Sequence, residues 1–288
     1  MTEPSRRNVL TGGAALTLAA TFLAAGCASP SEAKSGGSTL ERVRDKGTLV
    51  AGIRSDNPPH SFIDDDGRHI GFDVDIAGAI AKKLKVRLEI VKVDELTRIS
   101  FLEKGKIDIA VASMSKTRKR AERVDFSQTY FRSFQTFLVR KDGPSSLEDL
   151  VGKSVAMDRG SSAQGNWKSW LTGNGHPEEP AIEAFSEKRA AVEAVRQGSL
   201  AGYAEDYEIL ASFAKKDPAL TVLQQPIGVK LDGIGIRQGD SETREAIDTA
   251  LQDLYASGQW RRIYDRWFGP ESDTPVPVQG EMEVWPNG

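Results

Sequence analysis

Hydroxyl and basic side chains meet in one short segment, SMSKTRKR, which covers residues 113–120. Ser113, Ser115 and Thr117 stand at alternate positions, and Arg120 follows them. A guanidinium group can meet a carboxylate through two parallel, charge-assisted hydrogen bonds, and nearby hydroxyl and free N–H groups supply further donors. The segment therefore predicts a site that holds a small anion. A nucleic-acid contact and a solvated basic surface are the alternatives.

The overall charge argues against the nucleic-acid alternative. The chain has 38 Lys and Arg residues against 41 Asp and Glu residues, a formal net charge of -3. Electrostatic nucleic-acid binders carry a basic surplus instead. The 288 residues, 39% hydrophobic and 27% charged, suffice for one large or two medium folded domains. We therefore expect a folded protein with no nucleic-acid partner.

The sequence offers little for catalysis or metal binding. Its three histidines, His60, His69 and His176, do not make a metal-ligand set. It has no G-x-S-x-G segment, no Walker loop and no Rossmann glycine fingerprint. We therefore predict no catalytic residue, no metal and no cofactor.

The N-terminal segment, residues 1–26, is typical of an export signal. The basic start SRRNVL precedes an apolar run that ends in small residues. Arg6 and Arg7 resemble the pair of a twin-arginine signal. The alternative is a retained transmembrane anchor. The glycines and alanines of the run disfavour it, because they make the run only mildly apolar.

Cys27 is the only cysteine of the chain and ends the segment LAAGC. A lone cysteine has no intramolecular disulfide partner, and its position resembles a bacterial lipobox, in which two acyl chains on this residue hold the protein to the membrane. The usual leucine three places earlier is Ala24, with Leu23 one place early, and an unmodified free cysteine is the alternative. We expect residues 27–40 to be a flexible tether. The protein would then be exported and lipid-anchored on the extracellular face of the cell membrane, or in the periplasm.

The body of the chain alternates strand and helix patterns from Thr48 onward. The first series predicts strand, helix, strand, helix and strand in TLVAGI, GFDVDIAGAIAKKL, VRLEIVKV, LTRISFLEKGK and IDIAVAS. A second series predicts strand, turn and helix, then helix and strand, in GKSVAMDRGSSAQGNWKSWL and EKRAAVEAVRQGSLAGYAED. Two C-terminal helices follow in SETREAIDTALQDLYASGQWRRIYDRWFG. This order implies two α/β lobes with largely parallel sheets and a ligand-binding cleft between them.

Three segments resemble those of bacterial extracellular solute-binding proteins of family 3, the polar amino-acid receptors of ABC importers. They are GFDVDIAGAIAKKL, RVDFSQTYF and QWRRIYDRWFG, in the family's order. The resemblance covers about residues 40–269. It implies an α/β, two-lobed, periplasmic-binding-protein-like (type II) fold, in which two crossing strands join the lobes and the lobes close on a ligand like a hinge.

The resemblance also implies domain boundaries. We expect lobe 1 to comprise residues 41–137 and 231–269, and lobe 2 to comprise residues 138–230. The C-terminal tail, residues 270–288, is rich in Pro and Glu, and we expect it to be loose.

The resemblance assigns the ligand contacts residue by residue. In the family, the segment at residues 113–120 holds the α-carboxylate of an amino acid through its hydroxyls, and Arg120 is the expected clamp. Asp206, in GYAEDY, matches the family's ammonium-binding aspartate, with Glu205 as the competing acid. Ser161 and Ser162, in DRGSSAQGN, present N–H groups at a helix start, which is a ready anion site. A plain capped helix is the alternative there.

A second group of residues points to the side chain of the ligand. Arg98, in ELTRISFL, and Arg54, in AGIRSD, match arginines that contact the side-chain carboxylate in glutamate/aspartate receptors, and Lys188 falls near a cationic or polar contact. Three arginines against Asp206 leave a surplus of positive charge. A neutral ligand would leave a desolvated guanidinium group unpaired, which is costly. We therefore expect L-glutamate, or aspartate, as the ligand.

Two departures from the family pattern bear on this expectation. His60 stands where the family usually has a stacking aromatic residue, and we expect it to contact the ligand in part. Glu95 stands where other receptors have Phe or a small hydroxyl residue. Glu95 is able to pair with Arg54 or Arg98, and in that case the preference for an acidic ligand is lost.

The expected function is that of a monomeric lipoprotein, not an enzyme, which captures a polar amino acid and delivers it to an ABC permease complex. One alternative is a ligand sensor that signals to a membrane partner. The other is a cyclohexadienyl dehydratase-like enzyme on the same fold, which would need an acid–base residue over a ring-shaped substrate.

Overall fold

A computed structural model of the protein describes residues 37–272, 275–276 and 282–283. The export signal, the twin-arginine pair and Cys27 lie outside the described residues, and the expectations about them stay predictions. The expected tether ends at residue 40, but residues 39 and 40 already belong to the first helix, where Leu40 is buried. Ser38 caps that helix by accepting a hydrogen bond from the backbone N–H of Glu41.

Helices and strands alternate along the described part. The helices are α1 (Thr39–Lys46), α2 (Phe72–Leu84), α3 (Arg98–Glu103), α4 (Arg118–Ala121), α5 (Ala163–Gly173), α6 (Lys188–Arg196), α7 (Tyr207–Lys216), α8 (Ser241–Ala256) and α9 (Gln259–Phe268). The strands are β1 (Thr48–Ile53), β2 (Asp56–Asn57), β3 (Ser61–Ile63), β4 (His69–Ile70), β5 (Arg87–Lys92), β6 (Ile109–Ala110), β7 (Val124–Arg140), β8 (Val155–Asp158), β9 (Ile182–Phe185), β10 (Tyr203–Asp206), β11 (Leu220–Val222) and β12 (Gly228–Arg237).

The strand and helix series predicted from the sequence is confirmed, although β6 is only two residues long. Helix α2 illustrates the apolar periodicity and the terminal charges that predict a helix. Its Phe72, Ile76 and Ile80 form a fully buried stripe, its first turn holds aspartates and its last turn holds lysines, as the helix dipole favours. Sequence patterns did not reveal the short β2–β4 sheet or the long strands β7 and β12.

The main sheet has nine strands in the order β5-β1-β6-β12-β7-β10-β8-β9, with β11 paired to β7 beside this path. The strands β5-β1-β6 at one end are parallel, as are β10-β8-β9 at the other. In the middle, β12 and β7 run antiparallel to each other. These two strands therefore connect a first lobe built on β1, β5 and β6 to a second lobe built on β8, β9 and β10. The expected boundaries at residues 137 and 230 fall inside these two strands.

Each lobe has a hydrophobic core of its own. In the first lobe, α2, α8 and α9 cover the sheet around the buried rings of Phe72, Phe131 and Phe268. In the second lobe, Trp167 of α5 packs on Phe137 with ring centroids 4.9 Å apart. Each lobe is therefore stabilised by burial of its own apolar side chains.

The expectation of a loose C-terminal tail is wrong for its described residues. Val276 is buried, its backbone N–H donates to the carbonyl of Phe268 at 2.9 Å, and its carbonyl accepts from the Tyr264 hydroxyl at 2.9 Å. Gln252 of α8 donates to the carbonyl of Glu283 at 2.9 Å. Val276 thus adds apolar surface to the core of the first lobe.

No helix in the described part of the chain is long and apolar enough to cross a membrane.

Candidate functional site

The predicted anion segment begins shortly after β6, from which two residues separate it, with a tight, strained turn. Ser113 has φ of +46°, a conformation that non-glycine residues rarely adopt. The buried carboxylate of Asp73 holds this turn, because its Oδ2 accepts from the Ser113 backbone N–H at 3.0 Å and its Oδ1 accepts from the Tyr130 hydroxyl at 2.9 Å. Strain compensated in this way is common at binding sites.

The rest of the segment holds the side chain of Arg120. Thr117 caps α4, since its hydroxyl accepts from the Arg120 backbone N–H at 3.2 Å. The Nη1 of Arg120 donates to the Ser115 carbonyl at 2.9 Å. The backbone of Ser115 in turn forms an isolated antiparallel β-bridge with Asp232 of β12. Arg120 is thus oriented by its own segment, and its side chain is 11% exposed.

A narrow cleft joins this segment to the second lobe. Its free volume is about 10 Å³, close to the space of one water molecule. The cleft is lined by Glu95, Arg98, Ser113, Ser115, Arg120, Gln135, Ser161, Ser162, Glu205 and Asp206. The structure therefore brings together seven of the predicted ligand-binding residues. Four others, Arg54, His60, Thr117 and Lys188, lie outside this lining.

Glu95 lies among the three arginines of the first lobe. Its Oε1 is 2.5 Å from Arg54 Nη1, and its Oε2 contacts Arg98 and lies 3.4 Å from Arg120 Nη2. One carboxylate, 12% exposed, therefore partners all three cations, which is the pairing that removes the charge-based reason for a doubly anionic ligand. The preference for L-glutamate or L-aspartate stays a prediction.

Arg54 is buried behind the lining. Asp56 holds its guanidinium group at two points, 3.0 and 3.1 Å, and Asp158 of the second lobe lies 3.8 Å away. Burial works against the charge, but Glu95 and Asp56 outweigh it and raise the pKa of Arg54 well above its usual value. Arg54 therefore links the two lobes electrostatically.

Arg98 begins α3 and is buried beneath Glu95. Its Nη1 donates to the carbonyl of Ala112 at 2.8 Å. Burial lowers the pKa of Arg98 to about 10, and the neighbouring Arg120 and Arg54 charges add to that effect while Glu95 opposes it. The guanidinium group remains charged at neutral pH and depends on Glu95 for compensation.

Asp206 closes the cleft from the second lobe, at the end of β10. Its Oδ2 contacts the Lys230 ammonium group, and its Oδ1 accepts from Gln135 Nε2 at 3.0 Å. Gln135 of β7 is a lining residue that sequence reasoning missed. Its Oε1 accepts from Asn166 Nδ2 at 2.8 Å, which fixes the amide orientation. The signal was a polar residue inside the apolar strand segment FQTFLV.

Lys188 is buried in the second lobe behind Glu205. Its Nζ contacts Asp158 and lies 2.8 Å from Glu205 Oε2. The Tyr203 hydroxyl donates to Asp158 at 2.6 Å. Lys188 therefore compensates the acids of the wall, and the structure places it behind the lining.

His60 is buried in the aromatic core of the first lobe. Its ring lies 4.6 Å from the ring of Phe131 and 5.1 Å from that of Phe268. Its Nε2 is 2.8 Å from Glu208 Oε1 at the start of α7. The structure thus places His60 neither at the surface nor in the cleft lining.

The turn at residues 160–162 of the second lobe contacts the first lobe. Gly160 has φ of +81°, and a Cβ atom at this position would lie 3.2 Å from the Leu96 side chain. Its carbonyl accepts from Arg120 Nη2 at 3.2 Å. Ser162 accepts from Gln135 at 3.2 Å and precedes α5. This turn is therefore a point of contact between the lobes beside the lining.

The described residues contain no group of three or more His, Cys, Asp or Glu side chains that could hold a metal ion. Two α/β lobes on a shared sheet, with an ionic cleft between them, are the arrangement that the family resemblance predicts. The chain belongs to the bacterial extracellular solute-binding proteins, family 3, whose family model matches residues 49–270.

Relatives and a solved structure agree with this assignment. The chain is 32% identical over 220 residues to a glutamine-binding protein of Geobacillus stearothermophilus, covering 72% of this chain and 79% of that protein. It is 29% identical over 266 residues to the ABC transporter glutamine-binding protein GlnH of Bacillus subtilis, covering 88% and 95%. The ancestral amino-acid-binding protein AncCDT-1, a precursor of cyclohexadienyl dehydratase, matches with a TM-score of 0.72 and 32% identity, covering 81% and 100%. Other relatives are named for cystine, for glutamate and aspartate, and for arginine.

Proposed function

We propose that this chain is the extracellular substrate-binding component of an ABC importer and captures a polar amino acid between its two lobes. The observation that carries the proposal is the placement of Arg120 and Asp206, which line one cleft from opposite lobes. An amino acid bears a carboxylate and an ammonium group on one carbon and can contact both lobes at once. It therefore favours the closed arrangement through its differential affinity for the two states.

In this proposal each lobe binds one charged group of the ligand. Arg120 binds the α-carboxylate, aided by the hydroxyls of Ser113 and Ser115, and Asp206 binds the ammonium group. A carboxylate oxygen has more than one lone pair, so the contacts of Asp206 with Lys230 and Gln135 leave it able to accept further hydrogen bonds.

The remaining predicted residues take supporting roles. Ser161 and Ser162 add hydroxyl and backbone donors from the second lobe, and Arg98 faces the side chain of the ligand. Thr117 positions Arg120 by capping α4. The buried Arg54, Lys188 and His60 hold the charged lining in place from behind.

The position of Glu95 removes the charge-based reason to expect L-glutamate or L-aspartate. A doubly anionic ligand would need guanidinium groups that face no protein acid, whereas Glu95 contacts Arg54, Arg98 and Arg120. Relatives differ in the amino acid for which they are named. The proposed ligand class is accordingly a polar amino acid, without a preference for acidic ones.

A ligand screen tests the proposal. The purified protein is assayed against the common amino acids by thermal shift, since a ligand that binds only the native state raises its stability, and hits are measured by calorimetry. A micromolar hit would correspond to about -8 kcal/mol. Arg120→Ala should lose binding of every amino acid, whereas Arg118→Ala, which changes an exposed arginine of the same helix, should keep it. Tight binding by Arg120→Ala would refute the assigned clamp.

The likeness to a precursor of a dehydratase makes an enzyme the second candidate. We propose transport, because the one acid that departs from the family pattern, Glu95, is held in ion pairs and a general acid or base needs a transferable proton at the substrate. Incubation with a cyclohexadienyl acid, followed by absorbance of the aromatic product, should give no rate above that of buffer. A sensor role would be indicated if deletion of the protein left amino-acid uptake unchanged.

A further inference from the structure

Glu95 connects three guanidinium groups from different parts of the first lobe, of which Arg98 and Arg120 line the cleft and Arg54 lies behind the lining. Arg54 follows β1, Arg98 begins α3, and Arg120 belongs to α4. The Glu95 carboxylate contacts all three, with separations of 2.5 Å to Arg54 and 3.4 Å to Arg120 and a short contact to Arg98. The loop that carries Glu95 thus places one negative charge at the centre of a cationic wall.

Counting the charges of this wall limits what it can accept. Three arginines supply three positive charges, and the acids in contact with them on the same lobe, Glu95 and Asp56, supply two negative charges. Asp158 of the second lobe lies 3.8 Å from Arg54 but contacts Lys188 more closely, and it is counted with that lobe. One positive charge is left on the first lobe. A wall with one uncompensated charge suits a ligand with one carboxylate, because an unpaired charge in a desolvated site is costly whether it belongs to the protein or to the ligand.

The geometry indicates which guanidinium group carries this charge. Arg120 has the longest contact to Glu95, 3.4 Å, and its other partners are the neutral carbonyls of Ser115 and Gly160. Arg54 and Arg98 lie closer to Glu95. The α-carboxylate is therefore expected at Arg120, and a second carboxylate at Arg54 and Arg98 would meet the like charge of Glu95.

We infer that Glu95 is a specificity-determining residue that restricts this site to amino acids with an uncharged polar side chain, such as L-glutamine. The inference rests on the proposed function. An amide can donate to Glu95 and accept from Arg98 without adding charge. A ligand carboxylate is repelled by Glu95, and a ligand cation is repelled by the three arginines.

The test compares L-glutamine and L-glutamate by calorimetry on the full chain and on Glu95→Gln. The wild type should bind L-glutamine at least tenfold more tightly than L-glutamate. Glu95→Gln removes the negative charge with little change in shape, and it should shift the affinity ratio toward L-glutamate by tenfold or more, about 1.4 kcal/mol. The matched control is Glu103→Gln, which makes the same chemical change in the exposed pair with Arg123 and should leave the ratio unchanged.

The outcomes separate this inference from the proposed function. A wild type that binds L-glutamate or L-arginine more tightly than L-glutamine overturns the role of Glu95 and leaves the proposed function standing, whether or not Glu95→Gln folds. A folded Glu95→Gln with an unchanged ratio overturns it as well. A wild type that binds no amino acid overturns the proposed function and the inference together.

Discussion

His60 Nε2 lies 2.8 Å from Glu208 Oε1, in a place where neither side chain has any solvent exposure. The two residues are 148 positions apart in the sequence and join the first lobe to the start of α7. Glu208 also accepts from the Ser133 hydroxyl at 2.5 Å and lies 3.4 Å from Lys230 Nζ. Lys230 in turn contacts Asp206 of the cleft. A buried ionic cluster therefore runs from the aromatic core to the proposed ammonium site.

The His60 contact predicts a pH-dependent contribution to stability. Burial would lower the pKa of His60, but the carboxylates of Asp73 and Glu208 outweigh burial and Lys230 and raise it from 6.5 to about 9. A raised pKa in the folded state stabilises fully below pH 6.5 and loses its effect as the pH rises through 9. The pH-dependent advantage of the wild type over His60→Gln should reach about 3 kcal/mol at pH 6.

Urea denaturation at pH 6 and at pH 9.5 measures this difference. The control is His176→Gln, a histidine of the second lobe outside the cluster. If the stability gap between wild type and His60→Gln is the same at both pH values, folding does not raise the pKa of His60, and the stabilising role assigned to Asp73 and Glu208 is wrong.

Removal of the Lys230 charge should be strongly destabilising. Lys230 is buried among Asp206, Glu208 and Asp232, and these acids raise its pKa against the effect of burial. Lys230→Met would leave them without this cation, at a cost of about 3–5 kcal/mol in the free energy of unfolding. Lys168→Met removes a lysine from an exposed pair with Glu179 and should cost at most about 1 kcal/mol. Similar losses from the two variants, measured by urea denaturation, would contradict the importance of the cluster.

Alanine variants of Gly160 and Gly152 distinguish the effect of backbone strain from the effect of contact between the lobes. An alanine there would adopt a positive φ and bring its Cβ to 3.2 Å from Leu96 of the first lobe. Gly152 has a similar φ of +75° with no other atom near its Cβ position. Both alanine variants should lose about 1 kcal/mol of stability through strain, and only Gly160→Ala should also bind amino acids more weakly. Calorimetry on both variants decides this, and equal affinities would show that the 160–162 turn does not control closure.

The lipid anchor is a prediction from the sequence alone. Cys27→Ser removes the only thiol of the chain and should move the protein from the membrane fraction to the soluble exported fraction, because two acyl chains are needed for stable attachment. Ser29→Ala, two places later, should leave the distribution unchanged. Retention of Cys27→Ser in the membrane fraction would count against lipidation.

The family resemblance, together with local patterns in the sequence, pointed to several residues that line the cleft. The hydroxyls and arginine of residues 113–120 are close together in the chain, and Asp206 ends a strand whose apolar pattern was readable. Ser161 and Ser162 were placed by the turn before α5. Each of these residues reaches the cleft because its own strand or turn ends there, and parallel strands present their carboxyl ends at one edge of a sheet.

The amino-acid sequence by itself was enough to predict the α/β series and the family, and the family resemblance singled out Arg120 and Asp206. Only the tertiary structure decided which charges meet. Glu95 and Arg120 are 25 positions apart, and Lys230 and Asp206 are 24 apart, so no local pattern pairs them. Burial then makes these pairings decisive, because a charge removed from water needs a partner within a few ångströms. The folding of distant loops into one dry cleft therefore set the charge balance that the sequence left open.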